Sequence, residues 1–351
     1  MEPERRDFLD RLLETPSPSG FETRGQRVWL EYVREFADEV RTDDYGNAVA
    51  VHRGGETEFA VAGHADEVGF IVRRIDDDGY VRIGSIGGAD RTVSKGQHVT
   101  IHGDDPVAGV VGQTAIHLRE KGEETYDDIG EQYVDVGAED GEEAGALVSV
   151  GDPVTFSTTV EELHGSRLSA RGLDNRVGVW AAAEALRRAV EADVDATVYA
   201  VSTIQEEVGL QGARMVGFDL SPDAVVAVDV THATDSPGVP EKQRGPVELG
   251  GGPVVSRGSA NHPVLVDLAR DAAADVDVGV QLQATGSRTG TDADAFYTAH
   301  GGTPALNLGL PNRYMHTPVE VIDETDLRDL AAVLGAMAER AGTVEDFAVD
   351  V

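Results

Sequence analysis

The feature that most restricts the fold is a change of hydrophobic texture along the chain. From about residue 75 to residue 164, short alternating segments (YVRIGSI, QHVTIH, VAGVVG, DPVTFST) lie between Gly and Asp turns with little helical period. That spacing predicts a small β-barrel or sandwich. Before it, residues 5–14 and 21–38 have helical periodicity, separated by the turn TPSPSG, and AVAVH and EFAVAGHAD read as strands. After it come the Ala-rich amphipathic helix LDNRVGVWAAAEALRRAVEA and the run ATVYAVST, β-branched and aromatic over the length of a buried strand. Strand and helix patterns then alternate to the end of the chain, with no internal repeat. A length of 351 residues allows two domains. The expectation is an α/β domain, a mixed sheet flanked by helices, built from residues 1–74 and 165–351, with an all-β domain of residues 75–164 inserted between its halves.

Charge narrows the partners. The formal charge of -35 comes from 64 acids against 29 bases, and only Lys95, Lys121 and Lys242 are lysines. Nucleic acid and anionic membrane are therefore excluded as default partners. The acids lie in short clusters along the whole chain (DEV, DDD, EDGEE, EADVDA), which suits a uniformly acidic surface working in high salt, where charge is screened within about 3 Å at 1 M. With no cysteine, there is no disulfide or thiolate chemistry, and any metal must be held by His and carboxylates. The first twenty residues carry charges throughout, and no window approaches the ~18 apolar residues of a membrane span. A soluble cytoplasmic protein is expected.

Five segments place acids or histidines at strand ends or beside glycine turns: GHADEVGF, RGLDNRVG, IQEEVG, VDVTHATD and RYMHTPVE. Taken singly, His64 with Asp66 could be a hydrogen-bonded pair, Asp174 a helix N-cap, Glu206 and Glu207 a solvated strand end, Asp229 a turn acid and His316 a surface residue. Together they fit one chemistry. Glu206 and Glu207 follow a buried strand, at the edge where open α/β sheets build ligand sites. Asp66, Asp174, Glu206, Glu207 and Asp229 gathered there would repel one another without protons or cations. Two divalent cations about 3.5–4 Å apart, sharing a bridging carboxylate, supply +4 and make the cluster tolerable.

The ordered set SPSGFE, GHADEVGFIV, YVDVGAED, LDNRVG, STIQEEVGLQGA, VAVDVTHATD, RTGTDADA and RYMHTPVEVID resembles the tetrahedral (TET) aminopeptidases over essentially the whole chain. The resemblance implies a metal-dependent aminopeptidase that hydrolyses N-terminal residues from peptides. It implies His64 and Asp229 as ligands of one metal, Glu207 and His316 of the other, Asp174 as the bridge, Glu206 as general base and Asp66 orienting the His64 ring. It also implies two divalent ions per subunit, zinc or cobalt, and a PDZ-like inserted domain that helps build a homo-oligomer, a hollow dodecamer.

Within hydrolases, a two-metal amidohydrolase or deacylase shares the H-x-D and E-E elements but matches less in RYMHTPVE and in the β insert. A glycoside hydrolase using the Glu pair is disfavoured by an aromatic content of only 5%, since sugar subsites want aromatic platforms. A binding protein with a dead site is disfavoured because all seven polar site residues are present. His98, His102, His117 and His164 read as surface or packing residues of the β domain, and His232 as close enough to line the cleft but, with no ligand role left for it, at best behind the ligands. The GGGP turn (residues 250–253) and the RTGTDADA loop (residues 288–295) are candidates for shaping a substrate pocket.

Overall fold

The computed structural model describes residues 1–119, 126–239 and 245–351; residues 120–125, within the expected inserted domain, lie outside them. Two helices, α1 (Pro3–Glu14) and α2 (Thr23–Val33), precede strands β1 (Glu39–Thr42), β2 (Ala48–Arg53) and β3 (Glu58–His64). Six strands then close into an antiparallel barrel: β4 (Gly69–Ile75), β5 (Val81–Ile86), β6 (His98–His102), β7 (Pro106–Val111), β8 (Tyr133–Asp135) and β9 (Pro153–Phe156), with the short helix α3 (Gly141–Leu147) before β9. Alternate barrel residues, among them Phe70, Val72, Ile83, Val99, Ile101 and Val154, point inward and form their own core. The barrel therefore starts at Gly69: the expected boundary at residue 75 falls at the end of a strand that pairs with β5 and β9. At the other side it stops at Phe156, and His164 sits beyond it.

The chain returns through β10 (Glu161–Glu162), β11 (Arg167–Ala170), α4 (Leu173–Ala192), β12 (Thr197–Thr203), α5 (Gln211–Asp219), β13 (Ala224–His232), β14 (Val254–Arg257), α6 (Pro263–Asp275), β15 (Gln281–Ala284), α7 (Ala293–Phe296), β16 (Ala305–Asn312), β17 (Glu320–Asp323) and α8 (Glu324–Ala341). Eight strands form one mixed sheet in the order β1-β2-β12-β3-β13-β16-β14-β15, and β10, β11 and β17 form a small second sheet. In β12, Val198 and Ala200 pack with the helices of one face, while Tyr199 and Val201 join α5 and α7 on the other. ATVYAVST is accordingly buried along its whole length, since both its faces are covered. Among the described residues no helix is long and apolar enough to cross a membrane.

Candidate active site

The central strands β3, β12, β13 and β16 run parallel, with Thr203 opposite His64 and Asp229 opposite Gly309. Their C-terminal ends meet at one edge, where His64, Asp174, Glu206, Glu207, Asp229 and His316 line a cleft of about 460 Å³. A larger cavity of about 690 Å³, beside Thr57, Asp223 and Pro304 at the opposite end of the same strands, holds none of the six. Chemistry, not size, selects the first.

Asp174 is the hub. Its Oδ1 lies 3.2 Å from His64 Nε2 and its Oδ2 3.3 Å from His316 Nε2. It opens α4 but does not cap it. The backbone leaves helical geometry at Asp174 and Asn175, and the Asn175 side chain takes the capping role by accepting from Gly178 N–H at 3.0 Å. Asn175 Nδ2 also donates to Val228 O at 2.8 Å, tying this turn to the strand that bears Asp229. Around the hub, His64 Nε2 is 3.7 Å from Asp229 Oδ1 and 3.9 Å from Glu206 Oε2. His316 Nε2 is 3.3 Å from Glu207 Oε1, yet that buried oxygen has no partner in hydrogen-bond geometry.

Asp66 is fully buried behind this array. His64 Nδ1 lies 3.2 Å from the Asp66 backbone carbonyl and 3.4 Å from its carboxylate. The carboxylate itself accepts from Ser19 Oγ (2.6 Å), Glu206 N–H (2.9 Å) and Glu207 N–H (3.1 Å). Two further acids entered the sequence reading without a role. Glu320, buried, accepts from Asp174 N–H at 2.8 Å and from His316 N–H at 2.9 Å; it thereby fixes a loop in which Tyr314 and His316 both take positive φ, 62° and 64°. Asp292, in the RTGTDADA loop, accepts from Thr203 Oγ1 at 2.6 Å and leaves Oδ1 unpartnered. Neither has a local sequence signature, Glu320 opening β17 and Asp292 preceding α7, so nothing short of the fold distinguishes them from surface acids.

The electrostatics show a cluster seeking positive charge. Burial pushes Glu206 up to about 10, with Asp229 and Asp292 adding to the rise against the pull of His64. Burial and the neighbouring Asp174 raise Glu207 to about 7. Burial alone would lower the His316 imidazole, but Asp174 and Glu207 outweigh it and push it up to about 11. Carboxyls raised by burial and by one another, beside imidazoles raised by carboxylates, are the electrostatic pattern of a set that divalent cations would stabilise. The donor geometry agrees: ligand atoms of His64, Asp174 and Glu207 lie within 4.8 Å of one another, as do those of His64, Glu206 and Asp229. Hard oxygen and imidazole donors without sulfur suit divalent ions of the zinc, cobalt and manganese kind.

Fold and cluster together define a protein with a cation-accepting cleft of His and carboxylate side chains at the C-terminal edge of an α/β sheet. Residues 46–333 match the family model of the M42 glutamyl aminopeptidases. The chain is 33% identical to the lysyl aminopeptidase of Pyrococcus furiosus over 95% of this chain and 96% of that one. It superposes on the TET aminopeptidase of a marine sediment Thaumarchaeota archaeon with a TM-score of 0.90 at 28% identity, covering 97% of each chain. The Pyrococcus horikoshii TET1 peptidase, which can assemble into a tetrahedron or a large octahedral shell, superposes with a TM-score of 0.85 at 30% identity, covering 95% of this chain and 99% of that one. The chain belongs to the M42 aminopeptidase family and is a metal-dependent aminopeptidase.

Proposed function

We propose that the cleft binds the free N-terminus of a peptide over two divalent cations, zinc or cobalt. His64 and Asp229 would hold one, Glu207 and His316 the other, and Asp174 would bridge them. The observation that carries this reading is the Asp174 carboxylate, with one oxygen 3.2 Å from His64 Nε2 and the other 3.3 Å from His316 Nε2. When bound, the pair would polarise the scissile carbonyl and bring the pKa of a water toward about 7. Glu206 accepts that proton and returns it to the leaving amine. Its carboxyl, held near 10 by burial among acids, comes down toward the working range once +4 of charge replaces the cluster's protons. Asp66 acts behind the site on His64 and on the glutamate backbone.

Among the described residues, Arg288 is the only lysine or arginine on the cleft wall, and it makes no ion pair with any of them. It favours a carboxylate at the first residue of the substrate and repels a cation there. Among the described residues no Phe, Tyr or Trp side chain lines the cleft, which leaves a sugar chain without a stacking platform. The acidic surface fits work in concentrated salt inside the cell, and the barrel, a compact unit from Gly69 to Phe156, fits a role in assembling a closed homo-oligomer of twelve subunits.

The test is a panel of aminoacyl chromogenic substrates in molar salt, with and without chelator. We expect hydrolysis that chelator abolishes and zinc or cobalt restores, with glutamyl and aspartyl substrates turned over faster than lysyl. Activity indifferent to chelator, or confined to N-acylated substrates, overturns the reading in favour of another hydrolase chemistry.

A further inference from the structure

The SPSGFE turn, residues 17–22, supplies no member of the metal cluster, yet two of its side chains, Glu22 directly and Ser19 through Asp66, lead to the backbone that carries the two glutamates. The turn is zipped onto the segment after β3. Pro18 bridges Glu67, with Ser19 N–H donating to Glu67 O at 3.2 Å and Glu67 N–H to Ser17 O at 3.1 Å. From this seat, Ser19 Oγ donates to Asp66 Oδ2 at 2.6 Å, and Asp66 in turn receives the N–H groups of Glu206 and Glu207. The residue before them, Gln205, turns the chain at a φ of 53°, and its N–H goes to Glu22 Oε1 at 3.2 Å. Three consecutive backbone N–H groups are thus received by two carboxylates, both set by the same short turn. Ser19, Glu22 and Asp66 are all buried.

We propose that the 17–22 turn is a positioning brace for the glutamate pair. Ser19, through Asp66, and Glu22 directly hold the backbone of residues 205–207 so that adjacent carboxylates diverge, Glu206 toward His64 and Glu207 toward His316. Ser19 and Glu22 touch neither ligand atoms nor substrate and act only through this turn. The inference rests on Glu206 being the general base, because only then does its placement limit the rate. A merely structural loop anchor would tie stability to these contacts and leave turnover alone. A brace acts on kcat, since misplacing a catalytic group by about 1 Å costs on the order of 10²-fold.

The chemistry allows a sharp set of variants. Both donors to Glu22, Gly20 N–H and Gln205 N–H, fall on the same oxygen, Oε1. Glu22→Gln therefore keeps the brace, and Glu22→Ala removes it. Ser19→Thr keeps the hydroxyl that Ser19→Ala deletes. With metal-loaded enzyme, kcat, KM, metal content and backbone amide exchange at residues 205–207 are measured for all four. We expect the two Ala variants to lose on the order of 10- to 10²-fold in kcat with KM and metal content held, and to exchange the three amides faster, while the Thr and Gln variants stay close to the parent. Parental kcat and exchange in the Ala variants, a Gln variant as damaged as the Ala one, or metal loss in step with kcat would each overturn the brace. A parent enzyme inactive on every aminoacyl substrate refutes the aminopeptidase reading instead, and the exchange rates then decide the brace on their own.

Discussion

The adjacent acids Glu206 and Glu207 occupy different electrostatic positions although one bond separates them in sequence. Glu206 faces His64 and Asp229, and its Oε2 sits 3.9 Å from His64 Nε2, a distance compatible with either a base or a ligand. Metal counting separates the two roles. Glu206→Gln should keep both metals and fold normally while turnover falls by about 10² to 10⁴; Glu207→Gln should bind the second metal weakly and recover part of its activity in excess metal. Metal loss in the first variant with full occupancy in the second reverses the assignment. Glu22 offers a different readout, stability against pH. Burial, with Asp66 adding to it, raises its carboxyl from 4.5 to about 7. Between those values the folded state binds more protons than the unfolded one, so this group's contribution is fully present below about 4.5 and is lost as pH rises through about 7. At about 1.36 kcal/mol per unit the loss is on the order of 3 kcal/mol. Chemical denaturation of the metal-free protein at constant molar salt should show Glu22→Gln gaining on the parent across that window, and parallel curves would refute it.

Among the elements, the barrel reaches into the site. The loop after β5 places Gly88 O 3.1 Å from His316 Nδ1, which fixes the ring so that Nε2 faces Asp174 and Glu207. A Cβ on Gly88 would stand 2.8 Å from that same Nδ1. Gly88→Ala should therefore push the ring aside and weaken the second metal by about 10- to 100-fold, read as metal content at limiting zinc; parental affinity would show that the loop yields instead. This contact was not legible in the sequence, because residues 88 and 316 are brought together only by the closing of the barrel against the sheet. The long apolar strands were legible: β12 and β3 are continuous buried runs, and their ends predicted the site edge. Strand β4 carries no local sign of barrel membership, which is decided by its pairing with β5 and β9. The two-residue β10 leaves no pattern at all. At the site, residues flagged by unusual neighbours (H-x-D, E-E) were legible, whereas Ser19, Glu320 and Asp292 are ordinary polar residues whose roles come from distant partners. Asp174 shows the opposite case: its place at a helix start suggested a cap, and its neighbour Asn175 performs that task.

For the whole molecule, charge sets the conditions. A subunit of -35 brought against copies of itself meets repulsion whose range grows from about 3 Å at 1 M salt to about 30 Å at 0.01 M. Light scattering with parallel assays should show a large closed assembly in molar salt and joint loss of mass and activity on dilution of salt; a monomer in molar salt refutes the assembly, and unchanged mass and activity in dilute buffer refute the adaptation to salt. The placement of the cluster has one more outcome, and it concerns time. His64 precedes the barrel, while His316 follows β16, which must seat between β13 and β14 before its ring can approach Asp174. At about 5–20 residues per second of synthesis, the two imidazoles emerge roughly 13–50 s apart. A growing chain that already carries His64 therefore lacks its second imidazole until the sheet beyond the barrel has been made.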